Sequence, residues 1–307
     1  MRIAAAAWAL AALLAVGCGN GSEPAPERAL AGATVRSETR VAPRMLDLTI
    51  RSPALGADAK VRLITPVGWS RRGRAWPVLY LLHGCCDTYR SWTRSTDVES
   101  LRELRDVLVV MPEGGDVGFY SDWLDGPAWE TFHVDELRRL LERDYGAGSR
   151  RAIAGLSMGG LGAIGYAARH PDLFGAAASF SGVLHPLAHP QWYLGLFGEF
   201  TDDPRAIWGD PDAQRDVWAA HDPTELAGRL RGIALFVSSG DGRPGPYDPA
   251  GAGRDRLERA VLSESRAFVA ALRRLDIPVE RDFYGPGTHD WPYWERELAR
   301  ALPLLLA

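Results

Sequence analysis

The ten residues from Arg151 to Gly160, Arg-Ala-Ile-Ala-Gly-Leu-Ser-Met-Gly-Gly, constrain this chain more than any other stretch. A short apolar run, Ala152 to Ala154, enters a Gly-x-Ser-x-Gly pattern at Gly155, Ser157 and Gly159. Small residues from Gly160 to Ala168 leave it with helical character. The reading is strand, sharp turn, helix. Glycine is needed on both sides of the serine because the backbone there is strained and a Cβ at either flank would clash. A glycine-rich turn with an incidental serine shares the bare pattern but requires neither the strand before it nor the helix after it. Ser157 is therefore the candidate nucleophile.

What surrounds this turn has the rhythm of an α/β protein. Met45 to Arg51 and Lys60 to Thr65 alternate apolar and polar, as half-exposed strands do. Pro77 to Leu82 and Val107 to Met111 are unbroken apolar runs, which fit strands covered on both faces. Further strands are expected at Gly175 to Phe180, Ile233 to Val237 and Val279 to Phe283. Helices are expected at Val98 to Arg105, Ala128 to Tyr145 and Ala260 to Leu275. The alternation predicts a mostly parallel, doubly wound sheet with antiparallel N-terminal strands, the α/β-hydrolase fold, with its site at the carboxyl ends of the strands. A length of 307 residues with 46% hydrophobic content fits one such domain over 34–307. Residues 184–222, rich in Trp, Pro and Asp and without a strand pattern, read as a cap-like insertion. A net charge of -4 with no basic run gives no footprint for nucleic acid.

In this fold the chain order is nucleophile, acid, histidine. Of the histidines after Ser157, only His289 lies beyond the Ile233 strand that precedes the acid, in a Gly-Pro loop after the last strand. The acid stays open between Asp241, directly after that strand, and Glu258, just ahead of the Ala260 helix. Asp248 and Asp255 read as solvated loop charges. The N–H of Met158, next to the nucleophile, is one oxyanion donor; the second comes from the loop after the strand ending in His83-Gly84.

The chain resembles the antigen 85 type mycolyltransferases within the broader esterase D family. Met111-Pro-Glu-Gly-Gly, Gly118-Phe-Tyr-Ser-Asp-Trp123, Trp129-Glu-Thr-Phe132, Gly155-Leu-Ser-Met-Gly159, Trp208-Gly-Asp210, His221-Asp-Pro223 and Thr288-His-Asp-Trp-Pro-Tyr-Trp294 carry the likeness in order. The resemblance implies that Leu257-Glu258 is the acid pair and that Asp241 falls on a non-catalytic Gly-Asn-Gly. It also makes Cys85 the second oxyanion donor and Trp291 a substrate contact, though Trp291 reads equally as a packing aromatic. One departure matters. The family's Asp-Gly-Leu-Arg, which helps to hold trehalose, is His83-Gly84-Cys85-Cys86 here. The expectation is an exported serine carboxylesterase working on acyl esters through an acyl-enzyme. The alternative is an acyltransferase on cell-envelope lipids or sugars, and a non-enzymatic rival is a surface binding protein with this fold.

Residues 1–18 have one positive charge at Arg2, an apolar run and small residues before Cys18, the layout of a secretory signal, and Leu14-Ala15-Val16-Gly17-Cys18 resembles a lipobox. The expectation is a secreted protein, or one tethered to a membrane through a lipidated Cys18, with 19–33 as a flexible tether. The other cysteines, Cys85 and Cys86, are adjacent, a spacing that rarely closes a ring, so no disulfide framework is expected and the pair reads as small buried hydrophobes. With no Cys-x-x-Cys and no His-Glu-x-x-His, no metal or other cofactor is expected.

Overall fold

The computed structural model describes residues 32–71 and 73–307; the expected signal segment and Cys18 lie outside them, as does all of the tether but its last two residues. The sequence places the end of the tether at residue 33, but Ala33 is already buried in the core, so the domain begins there.

Strands β1 (Thr34–Ala42), β2 (Met45–Ser52), β3 (Ala57–Ile64), β4 (Trp76–Leu82), β5 (Leu108–Pro112), β6 (Ala147–Leu156), β7 (Ala176–Phe180), β8 (Ala234–Ser239) and β9 (Glu280–Phe283) make one sheet. Their order across it is β1-β2-β3-β5-β4-β6-β7-β8-β9. The pairs β1·β2, β2·β3 and β3·β5 are antiparallel, and every pair from β5·β4 to β8·β9 is parallel. This is the α/β-hydrolase fold. Helices α1 (Ser91–Ser95), α2 (Trp129–Thr131), α3 (Arg138–Asp144) and α4 (Met158–Arg169) precede β7. Helices α5 (Pro190–Gly198), α6 (Arg205–Trp208) and α7 (Arg215–Ala220) belong to the insertion, and α8 (Arg256–Arg274) and α9 (Trp291–Leu305) flank β9.

The central strands alternate between two cores. In β4, Val78, Tyr80 and Leu82 pack into one cluster, while Leu79 and Leu81 pack into the other with Trp294, Leu298 and Leu302 of α9. A strand covered on both faces has no polar face to show, which is why its sequence is an unbroken apolar run. Each fully buried Leu or Val there contributes roughly 1.5–3 kcal/mol.

Several segments differ from expectation, among them α9, which follows β9 where no helix was expected. β1 is an edge strand whose side chains, Arg36, Glu38 and Arg40 among them, are mostly exposed, so it carries no apolar alternation to read. Val98–Ser100 and Arg102–Leu104 are separate 3₁₀ turns in place of one helix. The helix expected over Ala128 to Tyr145 is broken by a π-helical stretch, Phe132–Leu137, that turns Phe132, His133 and Leu137 into the core.

A buried carboxylate of the main domain holds the start of the cap-like insertion. Glu264 of α8 accepts from Leu184 N (2.9 Å), His185 N (3.0 Å) and Tyr193 Oη (2.7 Å). Burial raises its pKa above the usual carboxylate value. Beneath it Phe119, Phe197, Trp208 and Trp218 pack edge to face, so the insertion shares the domain's core.

Candidate active site

Ser157 stands between β6 and α4 with φ +52° and ψ -120°, a backbone conformation that L-residues rarely hold. Close packing enforces it. A Cβ on Gly155 would lie 2.1 Å from the Gly159 carbonyl oxygen, and one on Gly159 would lie 2.6 Å from the carbonyl oxygens of both Leu82 and His83. Ser157 N donates to Phe180 O at 3.0 Å, and Ser157 O accepts from Gly160 N at 2.9 Å and Val183 N at 3.2 Å. The turn is thus fastened to β4 by contact and to β7 by hydrogen bonds.

Glu258 lies in the first turn of α8 and is fully buried. Its Oε1 accepts from Ser181 Oγ (2.9 Å), Ser239 Oγ (2.9 Å) and Gly240 N (2.5 Å), and its Oε2 faces His289 Nδ1 at 2.8 Å. A carboxylate removed from water must find donors for its oxygens, and here it finds four. His289 is held edge-on against Trp294, with 4.9 Å between ring centroids. The structure therefore brings His289 to Glu258 and not to Asp241. Asp241 accepts from Arg243 N (2.9 Å) and Arg243 Nε (2.7 Å), and that guanidinium holds its pKa below the ordinary value.

Asp248 and Asp255, expected to be solvated, are both bound. Asp255 caps α8: its Oδ1 accepts from Glu258 N at 3.0 Å while its Oδ2 accepts from His289 N at 2.8 Å, so one side chain joins the backbones of both partners. Asp248 accepts from Tyr293 Oη (2.6 Å), Gly245 N (2.7 Å) and Thr288 Oγ1. Burial alone would raise its pKa, but these donors bring it below the ordinary value. The Asp255-x-x-Glu258 spacing ahead of an apolar run is a helix-start signature that could have revealed the role of Asp255. Ser181 and Ser239 are site residues that sequence reasoning misses, since no local signal marks either serine.

On the opposite side of the serine, His83 is buried with Nδ1 2.7 Å from Gly84 O, while Gly114 N donates to its Nε2 at 2.9 Å. Accepting at Nε2 leaves Nδ1 as the N–H that donates to the Gly84 carbonyl. Among the described residues neither Cys85 N nor Met158 N donates to an internal acceptor. Cys85 and Cys86 are joined by a disulfide, against the expectation from their spacing. They are not small buried hydrophobes either: Cys85 is half-buried and Cys86 exposed.

Ser157, Met158, Cys85, Cys86 and His289 line one cavity of about 340 Å³. Its other walls are largely apolar: Phe119, Leu156, Val183, Leu196 and Leu257, with Trp192, which is 51% exposed at the cap. Trp291 lines the cavity and also packs edge to face on Trp92 and Trp294, so both readings of it describe real contacts. The hydrogen bonds of the described residues do not include a Ser157 Oγ to His289 Nε2 pair; in unliganded sites this bond is often long and tightens with substrate. Among the described residues no group of three or more His, Cys, Asp or Glu side chains is placed to hold a metal.

Comparison with known proteins gives this geometry a family. A family model described as "Putative esterase" matches residues 52–305. The diacylglycerol acyltransferase/mycolyltransferase Ag85B of Mycolicibacterium smegmatis is 32% identical over 281 residues, covering 83% of this chain and 82% of that protein. Esterase Rv1288 of Mycobacterium tuberculosis is 32% identical over 267 residues, 80% of this chain and 56% of the esterase. Among solved structures, Mycobacterium tuberculosis MPT51 (FbpC1) superposes with a TM-score of 0.70 at 27% identity, covering 86% of this chain and all of that one. A ferulic acid esterase superposes at 0.66 with 26% identity over 85% of this chain and 97% of its own.

Proposed function

Because this chain belongs to the "Putative esterase" family and is an enzyme of the α/β-hydrolase type, we propose that it is a serine carboxylesterase that cleaves acyl esters through Ser157, His289 and Glu258. The observation that carries this reading is the 2.8 Å contact between His289 Nδ1 and the buried Glu258, beside a cavity that Ser157 and His289 both line. Ser157 Oγ attacks the acyl carbonyl while His289 Nε2 takes its proton, and Glu258 holds the ring in the tautomer whose Nδ1 carries hydrogen. The carbonyl oxygen, now negative, is received by the N–H groups of Cys85 and Met158, which have no internal acceptor among the described residues. Collapse expels the alcohol with the proton from His289. Water, activated by the same imidazole, then releases the acid and frees Ser157.

The apolar walls, Trp291 among them, suit an acyl chain. A second reading, acyl transfer to an alcohol acceptor of the cell envelope, is favoured by the mycolyltransferase among the relatives. His83 counts against a sugar acceptor of the trehalose kind, since its ring is buried and its two nitrogens are occupied by Gly84 and Gly114. Export, with a lipid on Cys18 or without it, belongs to the same proposal; no helix of the described residues is long and apolar enough to cross a membrane.

The test is covalent labelling by a fluorophosphonate, with the adduct mapped to Ser157 and lost in Ser157→Ala. Labelling that persists in the variant would move the nucleophile elsewhere. Product analysis with and without glycerol or a disaccharide then separates hydrolysis from transfer: free acid as the dominant product in both supports the esterase, and an acylated acceptor supports the second reading.

A further inference from the structure

The Cys85–Cys86 disulfide sits where the site is most sensitive to small displacements. Cys85 contributes the N–H proposed above to receive the oxyanion, so the role inferred for the disulfide rests on that reading. The residues on each side of it are pinned to the segment 114–120. Gly114 N donates to His83 Nε2 at 2.9 Å, and Tyr120 Oη donates to the His83 carbonyl at 2.9 Å. His83 Nδ1 holds the Gly84 carbonyl, the other end of the peptide unit that carries Cys85 N–H. On the far side Cys86 N donates to Asp116 O at 3.0 Å. Cys86, whose N–H is the far anchor, has φ +64°, a left-handed conformation that a non-glycine residue leaves readily unless its surroundings forbid it. The bond between the two sulfurs closes that loop covalently.

We propose that the Cys85–Cys86 disulfide is a positioning element that holds the Cys85 N–H in its oxyanion-binding pose, making turnover by this enzyme depend on an oxidised cysteine pair. Cys86 is exposed and both residues line the catalytic cavity, so a thiol reductant in solution reaches the bond without unfolding the chain. The chemistry balances with a dithiol as reductant. Its thiolate attacks one sulfur, the Cys85–Cys86 bond breaks, and its second thiol closes on the mixed disulfide. Two electrons and two protons pass to the cysteines, and the reductant leaves as a cyclic disulfide. Once open, Cys86 is free to leave the left-handed region, and the peptide carrying the Cys85 N–H is held only by the hydrogen bonds at Gly84 O and Cys86 N. Loss of an oxyanion donor lowers turnover by about 10²–10³, and a misplaced one by a substantial part of that.

The full chain is incubated with and without dithiothreitol under native conditions, alkylated and mapped by peptide mass spectrometry, while kcat and KM are measured on a short-chain ester. Before reduction, positions 85 and 86 resist alkylation; afterwards both are modified. Expected kinetics are a fall in kcat of about tenfold or more with KM within about twofold, reversed on reoxidation, with thermal stability recorded on the same samples. The Cys85→Ser/Cys86→Ser double variant, close in shape but unable to form the bond, reproduces the low kcat and ignores dithiothreitol. Free thiols in the untreated protein, an unchanged kcat after complete reduction, or a wild-type kcat in the double variant would each overturn the proposal. A rise in KM alone would overturn it as well, since that would make the pair only a wall of the cavity. Failure of the underlying reading looks different, because the fluorophosphonate adduct would then lie on a residue other than Ser157.

Discussion

Ser157, the proposed nucleophile, is placed by the packing of its own turn, whereas Glu258 and His289, 31 residues apart in the chain, are placed by hydrogen bonds to carboxylates. On the first side, glycines at 155 and 159 leave no room for a methyl group, and the serine's φ of +52° follows from the turn between β6 and α4. On the second, Glu258 collects four donors and Asp255 joins the two backbones, in a loop that is itself close-packed at Gly240 and Gly242. A packed backbone is disturbed by volume, and a carboxylate network by chemistry at constant volume. The second half should therefore fail under a change of chemistry at constant volume that the first half does not feel.

The largest effect tests the second half. Glu258→Gln keeps the shape but turns one acceptor into a donor, so at least one of the four partners loses its acceptor and His289 loses the group that sets its tautomer. We expect kcat to drop about 10⁴-fold, equivalent to about 5.4 kcal/mol, with KM little changed. A variant within tenfold of wild type would remove Glu258 from the mechanism. The first half is broken by a methyl group. Gly159→Ala brings a Cβ against two backbone oxygens that cannot swing aside, and we expect roughly 3 kcal/mol of lost stability. For a domain of this size that lowers Tm by about 5 °C. An unshifted Tm would mean that the turn is not close-packed after all.

Acid distinguishes the halves in another way. Against α4, His133 is buried between Glu113 O (2.8 Å) and Tyr166 Oη (2.9 Å), and burial pushes its pKa down to about 4. A depressed histidine is protonated first in the unfolded chain, so its contribution to stability is complete above pH 6.5 and shrinks as pH falls towards 4. At pH 5 the loss is about 2 kcal/mol, and His133→Gln should flatten that part of the stability curve in chemical denaturation. A smaller effect is expected at Asp255. Asp255→Asn keeps one acceptor oxygen but turns an amide N–H₂ towards Glu258 N or His289 N; we expect kcat about tenfold lower, as the distance between acid and base loosens. Asp255→Ala with wild-type kcat would reduce the residue to a helix cap.

Legibility in the sequence divides along the same line. The elbow was legible because Gly155, Ser157 and Gly159 encode a local backbone problem within a few residues. Strands such as β4 were legible because burial on both faces leaves an unbroken apolar run. The acid–base half was legible only in order: His289 followed from its place after the last strand, but choosing Glu258 over Asp241 drew on a family resemblance. Ser181, Ser239 and the bridging role of Asp255 escaped because their partners lie far away in sequence, and a serine at a strand end looks the same whether or not it feeds a buried carboxylate. β1 escaped because an exposed, charged edge has no periodic apolar signal. The disulfide at Cys85 and Cys86 escaped because adjacent cysteines are ordinarily unpaired, so spacing argued the wrong way.

Asp241 yields the smallest expected effect and the sharpest test of the comparison. It occupies the position, directly after β8, where the fold ordinarily supplies its acid, and order along the chain alone could not dismiss it. Its carboxylate, however, is committed to Arg243, whose guanidinium is exposed. An ion pair in contact with solvent contributes at most about 1 kcal/mol. In Asp241→Asn the amide oxygen can still accept from Arg243 N, so the local turn is retained and only the charge is lost. We expect kcat and KM within about twofold of wild type and Tm within 2 °C or so. The contrast with Glu258→Gln is the measurement that matters, since both replace one carboxylate by its amide at nearly constant volume. Had position after the strand decided the chemistry, Asp241→Asn would be the crippled variant. If enclosure by donors decides it, Glu258, fully buried with four of them, must carry nearly all the loss.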